Sequence, residues 1–252
     1  MDLGLRDRVV LVTGASGDIG AAIARAFAAE HATLALTWHT NRDRADALVE
    51  EITGAGGRAV AVRVDQRDES SVHQAIADVE RELGEIDVLV ANAVTWPTAR
   101  TDTRETLIDG LTSNVAGTMA TIERALPGMR RAGWGRVVVI STDIVEQPLP
   151  AGVAYPAAKA ALESAARVLA TREARHGVLT NVVRPGFTLT ERALTSPGLG
   201  QEAVDSESAK TPTLRICTPE DVAALTVFLG SAANSHVNGE AVSVAGGRHL
   251  TR

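Results

Sequence analysis

The sequence predicts a doubly wound α/β fold, with one parallel seven-stranded sheet covered by helices on both faces. Three observations carry this expectation. Short runs that are apolar throughout, such as Val9-Val10-Leu11-Val12, recur along the chain, and strands apolar at every position are buried on both faces. Each run is followed by a helix-length stretch, the alternation expected of successive βαβ units. A glycine-rich turn, Thr13-Gly14-Ala15-Ser16-Gly17-Asp18-Ile19-Gly20, lies directly after the first run, as in a Rossmann-type sheet. With 252 residues, the chain reads as a single domain over 1–252.

The elements follow in order. The first strand is placed at 9–13 and an Ala-rich first helix at 19–30. A second strand at 33–38 leads to a helix at 42–54, and a third at 59–64 to a helix at 69–83. A fourth strand at 87–91 precedes one long helix at 104–131, and a fifth at 136–141 precedes a helix at 153–175. The sixth strand falls at 179–183 and the seventh at 241–244. Pro219-Glu220-Asp221 opens a further helix, since proline and acidic residues suit a first turn. Only the stretch 190–214, rich in Ser, Thr, Pro and Gly, lacks periodicity. A segment this long inside a domain reads as a substrate lid, over 189–215, or as a surface connection.

Composition narrows the function. Charged residues make up 22% and apolar residues 45%, a globular mix, and the net charge of −6 argues against nucleic acid or anionic membrane as partner. A single cysteine, Cys217, excludes a disulfide framework and fits a reducing compartment. Six histidines without ligand spacing predict no metal. The charged N-terminus lacks a signal-peptide core, and no apolar run reaches spanning length, so a cytoplasmic location is expected.

A glycine-rich turn that opens a helix offers close backbone approach and free N–H groups to a phosphate, which predicts a dinucleotide site. Asp18 is an unwelcome charge beside pyrophosphate unless it caps the helix. The second strand ends Trp38-His39-Thr40-Asn41-Arg42, with no acid to accept from ribose hydroxyls. That absence, with His39 and Arg42 close by, favours NADP(H) over NAD(H), although Arg42 can equally be a solvated first-turn residue. Asp65 can receive the adenine amino group or cap the following helix.

At the chemical end, one pair stands out. The chain has one tyrosine, Tyr155, and two lysines, one of them Lys159. Residues four apart share a helix face, and an ammonium beside a phenol is expected to lower its pKa towards a useful acid–base range. Arginine, the other 23 basic residues, cannot relay a proton.

Through the glycine turn, Asp65, Ala91-Asn92-Ala93-Val94, Asn114, Thr142, Tyr155-Pro156-Ala157-Ala158-Lys159, Pro185-Gly186 and Gly246-Gly247, the chain resembles the short-chain dehydrogenase/reductase family over essentially its whole length. Within that family it is most similar to the β-ketoacyl carrier-protein reductases and polyketide ketoreductases. The resemblance implies catalytic roles for Asn114, Thr142, Tyr155 and Lys159, with Asn114 placing a water near Lys159. A polar residue bending its helix is the alternative for Asn114. The resemblance also implies an NADP(H) site made by Gly14, Ser16, Asp18, Ile19, His39, Arg42, Asp65, Asn92, Ala93, Tyr155, Lys159, Pro185, Gly186 and Thr188, with Thr188 on the nicotinamide carboxamide. Lys159 would hold the nicotinamide ribose as well. Three positions depart from the family pattern: Asp18 replaces its second glycine, Ala91-Asn92-Ala93-Val94 replaces Asn-Asn-Ala-Gly, and Thr142 stands where it has serine. Ser141, one residue away, would face the opposite side of an extended backbone.

Trp96, Pro97, Ile144, Val145, Gln147, Leu189 and Leu194 are candidate substrate walls, with ordinary loop packing as the alternative. Arg130, Arg131 and Arg172 resemble the basic patch that docks an acyl carrier protein; solvated helix ends explain them equally. A homotetramer is implied by the resemblance alone. The expected function is NADPH-dependent reduction of a ketone, a β-keto group on a carrier-bound or polyketide-type substrate. The alternatives are a tailoring reductase or dehydrogenase on a free cyclic ketone or alcohol, and a non-catalytic NADP-binding regulator.

Overall fold

The computed structural model describes residues 2–96, 102–148, 152–196 and 198–251. All seven expected strands form: β1 (Val9–Val12), β2 (Thr33–Trp38), β3 (Arg58–Arg63), β4 (Val88–Ala91), β5 (Gly135–Ile140), β6 (Val178–Pro185) and β7 (Ala241–Val244). They pair in parallel in the order β3-β2-β1-β4-β5-β6-β7. The chain winds outward from β1 to β3 and then returns to place β4 beside β1. The crevice at that reversal, at the carboxyl ends of the strands, is where ligands of such sheets bind.

The helices are α1 (Asp18–Ala29), α2 (Arg42–Gly54), α3 (Glu69–Leu83), α4 (Arg104–Leu111), α5 (Gly117–Ala132), α6 (Ala154–Glu173), α7 (Glu191–Thr195), α8 (Gln201–Lys210) and α9 (Pro219–Gly230). Alternation along each strand divides the core into two layers. Val10, Val12, Leu34 and Leu36 pack with Ile23 and Phe27 of α1, Leu48 of α2 and Val222 of α9. Val9, Leu11 and Leu89 face the other way, against Val72 of α3, Leu126 of α5 and Leu162 of α6. Each fully buried side chain of this size contributes about 2 kcal/mol of transfer free energy.

One expectation is corrected and two open readings are narrowed. The long helix expected at 104–131 is broken by a widened π-helical turn, Thr112–Ala116, between α4 and α5. There the Asn114 side chain accepts a hydrogen bond from Thr95 N at 2.7 Å and donates one to Thr95 O at 2.9 Å, holding the loop after β4. The aperiodic stretch 190–214 contains α7 and α8; α8 is polar almost throughout, with only Val204 buried, so it carries no amphipathic signal. Finally, α3 is capped by Asp68, whose side chain accepts from Ser70 N, which leaves Asp65 free of that role.

Candidate active site

The tips of β1 to β6 and the segment around α7 and α8 enclose one cavity of about 1260 Å³. Its nucleotide end is built by the glycine turn. Gly14 has φ +65°, and a Cβ there would stand 2.8 Å from Ala93 Cα; at Gly20 it would stand 2.4 Å from Gly14 O. Neither position admits a side chain. Thr13 Oγ1 accepts from Asn92 N and Ala93 N at 2.9 and 3.0 Å, and Asn92 Nδ2 donates to Thr13 O, so β1 and β4 fix each other's ends. Gly17 caps α1 without a side-chain hydrogen bond, which leaves the first-turn N–H groups of this helix open to an anion. Ser16, Asp18, Ile19, Asn92 and Ala93 line the cavity with them. These features fit a dinucleotide's phosphates.

Asp18 does not cap its own helix, as one reading expected. Its carboxylate instead takes Arg44 Nη2 at 2.6 Å and Glu191 N at 2.7 Å, so its charge is neutralised from α2 and it anchors the start of α7. Arg44 also pairs with Glu191 at 3.0 Å. Arg42, the arginine singled out in the sequence, is corrected: its side chain is 70% exposed, pairs with Asp46 at 3.0 Å and does not line the cavity. Arg44 lines it instead, beside His39 and Asp65. His39 Nε2 lies 3.5 Å from an Asp65 oxygen.

The chemical end gathers Thr142 after β5, Tyr155 and Lys159 on α6, Pro185 at the end of β6, and Gly186 and Thr188 after it, all on the cavity wall. Thr188 donates to Gly186 O at 2.8 Å. Lys159 is buried and donates to Ile140 O at 2.6 Å, with its Nζ 5.9 Å from the Tyr155 ring centre. Burial pushes the ammonium down to about 8, against the opposing pull of Glu163. The tyrosine departs from expectation. Its phenol is pushed up to about 12, because burial and the Asp143 charge outweigh the Thr142 hydrogen bond and Arg192. Desolvation of the charged form dominates, and Lys159 has not turned towards the hydroxyl. Asn114 does not line the cavity.

Trp96 stacks on Tyr155 with ring centres 4.5 Å apart, and the Arg192 guanidinium lies 4.1 Å above Trp96. Ile144 and Gln147 line the cavity; Val145, Leu189 and Leu194 do not, whereas Leu199, between α7 and α8, does. Pro97 lies outside the described residues. Asp143, Arg44, Arg192 and Arg248 are cavity residues that sequence reasoning missed. Cys217 is buried, and burial lifts its thiol to about 11, an unreactive setting.

The three candidate docking arginines are engaged within the chain. Arg130 makes a bidentate pair with Glu173 at 2.7 and 2.8 Å, Arg172 reaches the same carboxylate at 2.6 Å, and Arg131 pairs with Glu85 at 2.6 Å. The two arginines hold the Glu173 carboxyl down at about 2.

A family model described as enoyl-(acyl carrier protein) reductase matches residues 14–249. The chain belongs to the short-chain dehydrogenase/reductase family. It is 34% identical to the short-chain reductase protein NovJ of Streptomyces niveus, across 96% of this chain and 94% of that one. It is 33% identical to the 3-oxoacyl-acyl-carrier-protein reductase FabG of Aquifex aeolicus, across 98% and 99% of the two chains. The L-sorbose reductase of Gluconobacter frateurii, solved with NADPH and L-sorbose, superposes with a TM-score of 0.92 at 28% identity and full coverage of both chains. As a short-chain dehydrogenase/reductase, the protein is an NAD(P)-dependent oxidoreductase that interconverts ketones and alcohols.

Proposed function

We propose that this short-chain dehydrogenase/reductase uses NADPH to reduce a ketone to a secondary alcohol. The observation that carries this reading is the meeting of Thr142, Tyr155 and Lys159 on the wall of a cavity whose other end is the glycine turn. Gly14, Ser16 and Ile19 would hold the phosphates; His39, Arg44 and Asp65 the adenosine end; Lys159, Pro185, Gly186 and Thr188 the nicotinamide end. When bound, the nucleotide supplies the hydride that the carbonyl carbon accepts. Tyr155 gives its proton to the carbonyl oxygen, and Thr142 donates a hydrogen bond to the same atom, where negative charge accumulates. The Lys159 ammonium stabilises the phenolate left behind, which regains its proton from solvent.

The phosphorylated cofactor is preferred because no acid stands at the tip of β2 and Arg44 reaches the cavity there. Arg44→Ala should raise the NADPH dissociation constant by about 10–50-fold, the worth of a charge-assisted hydrogen bond pair, and change that of NADH by less than about threefold. Titration of nucleotide fluorescence separates the two. Lys159 gives a pH prediction. Below about 8 the ammonium is present and can support proton transfer; above that value it is lost. The kcat/KM for reduction should therefore fall as pH rises through about 8, read from the pH profile of the free enzyme.

A β-keto group on a carrier-bound or polyketide-type substrate is supported by the likeness to FabG. A free cyclic ketone or alcohol is favoured by the pairing of Arg130 and Arg172 with Glu173, which leaves an acidic carrier two guanidiniums already sharing one carboxylate. NADPH oxidation against a panel of carrier-linked and free polycyclic ketones tests both readings. Charge reversal at Arg130, Arg131 and Arg172 should slow only the carrier-linked members. Assembly as a homotetramer accompanies this reading and is checked by light scattering.

A further inference from the structure

The Asp143 carboxylate takes no part in the steps above, yet it lies beside the reacting centre. It follows Thr142 in the short turn Asp143–Val145 after β5 and is half-buried on the cavity wall. Groups from four other elements face it: Tyr155 of α6, Gly186 after β6, Cys217 before α9, and Arg248 with His249 of the C-terminal turn. Among the described residues it makes no ion pair. The nearby Arg248 is committed elsewhere, to Glu207 at 3.2 Å and to Thr251. Among the described residues no donor makes a hydrogen bond of ordinary geometry to its carboxylate, and only its own backbone N–H and the Thr142 hydroxyl lie close enough as donors to favour its charged form, whereas a carboxylate has room for about four donors. Beside it, His249 Nδ1 is buried without a partner among the described residues. This end of the cavity is short of polar partners, and leaving such groups unpaired is costly.

We propose that Asp143 is a specificity-determining residue that accepts a hydrogen bond from a hydroxyl on the carbon next to the ketone, so that the substrate is a hydroxy ketone. This rests on the ketone-reduction reading. Charge in the cavity selects a neutral donor. Arg192 also lines it and disfavours an ammonium group, while Asp143 itself repels a carboxylate. Burial raises the Asp143 carboxyl above its ordinary range, in line with an anion short of donors. The hydroxyl also affects the chemical step. Thr142 has one hydroxyl proton, and the Asp143 carboxylate and the Tyr155 oxygen both draw it. A substrate hydroxyl satisfies Asp143 and releases that proton for the carbonyl oxygen, so removing the hydroxyl lowers kcat as well as raising KM.

A matched pair, 2-hydroxycyclohexanone and cyclohexanone, tests the proposal. The wild-type protein should prefer the hydroxy ketone by about 100-fold in kcat/KM, since a site built for a hydroxyl rejects its absence strongly. Asp143→Ala should bring the ratio below about threefold, and Asp143→Asn, whose amide oxygen still accepts, should retain part of it. Calorimetric titration of trans-1,2-cyclohexanediol into the cofactor-free protein supplies a readout independent of turnover: binding is expected for the wild type and should be lost in Asp143→Ala. Equal use of both ketones by the wild type, or a preference that survives Asp143→Ala, overturns the assignment. Tighter binding of trans-2-aminocyclohexanol than of the diol overturns the choice of hydroxyl. If neither ketone is reduced, the ketone-reduction reading is what fails for this class, and equal diol binding by both proteins then overturns the role of Asp143 separately.

Discussion

Tyr155→Phe is expected to lower kcat/KM for ketone reduction by about 10²–10⁴-fold while leaving NADPH affinity within about threefold of wild type. The ring is retained, so its packing on Trp96 at 4.5 Å is preserved and only the hydroxyl is lost. Among the described residues, the groups nearest to it are engaged elsewhere. Lys159 is bonded to Ile140 O, and Asp143 competes for the Thr142 proton. The high pKa of Tyr155, about 12, keeps the phenol fully protonated across the physiological range, which suits a donor to a developing alkoxide. Steady-state kinetics and a nucleotide titration on the same preparation make the comparison. Turnover within tenfold of wild type would remove Tyr155 from the proton-donor role.

The central strands β1 and β4 were legible in the sequence because they are buried along their whole length and therefore apolar at every position. The Tyr155–Lys159 pair was legible because the two side chains share one helix face. What stayed hidden depends on rotation and on distant partners. Arg42 and Arg44 are two positions apart on α2, about 200° around a helix, so a first-turn arginine in the sequence does not say which one faces the cavity. Arg44 also needs Asp18 and Glu191, both distant in sequence, to hold it there. Val145 fails as a wall because a short 3-10 turn carries it away while Ile144 stays on the cavity. The direction of the Tyr155 shift was missed because residue spacing reports the nearby charge but not the enclosure made by Trp96, Asp143 and the segment around α7. Likewise Arg130 and Arg172 read as free cations until α6 ends on Glu173 between them.

The feature with the largest expected effect on stability lies next to Lys159. Glu163, one turn beyond Lys159 on α6, accepts from Ser141 Oγ at 2.6 Å and holds Arg184 of β6 through Nε at 2.8 Å and Nη2 at 2.5 Å. Arg184 reaches Glu146 with its remaining nitrogen. The Glu163 and Arg184 side chains are only 2% and 6% exposed. Removing Glu163 leaves two nitrogens of the buried Arg184 without a partner, with only Glu146 still facing its charge, so Glu163→Ala should cost about 3 kcal/mol and lower Tm by roughly 10 °C at this chain length. Glu163→Met combined with Arg184→Met removes both charges and should recover most of the loss, because the penalty comes from the stranded ion rather than from the pair's net worth. Thermal and urea unfolding of the single and double variants measure this, and a Tm change below about 2 °C for Glu163→Ala would show that Arg184 finds other partners. Glu163 also opposes the deprotonation of Lys159 across one helical turn. In Glu163→Gln, assayed below its own Tm, the fall in reduction rate should therefore move to a pH below the wild-type value of about 8, a shift that a purely structural role for Glu163 would not produce.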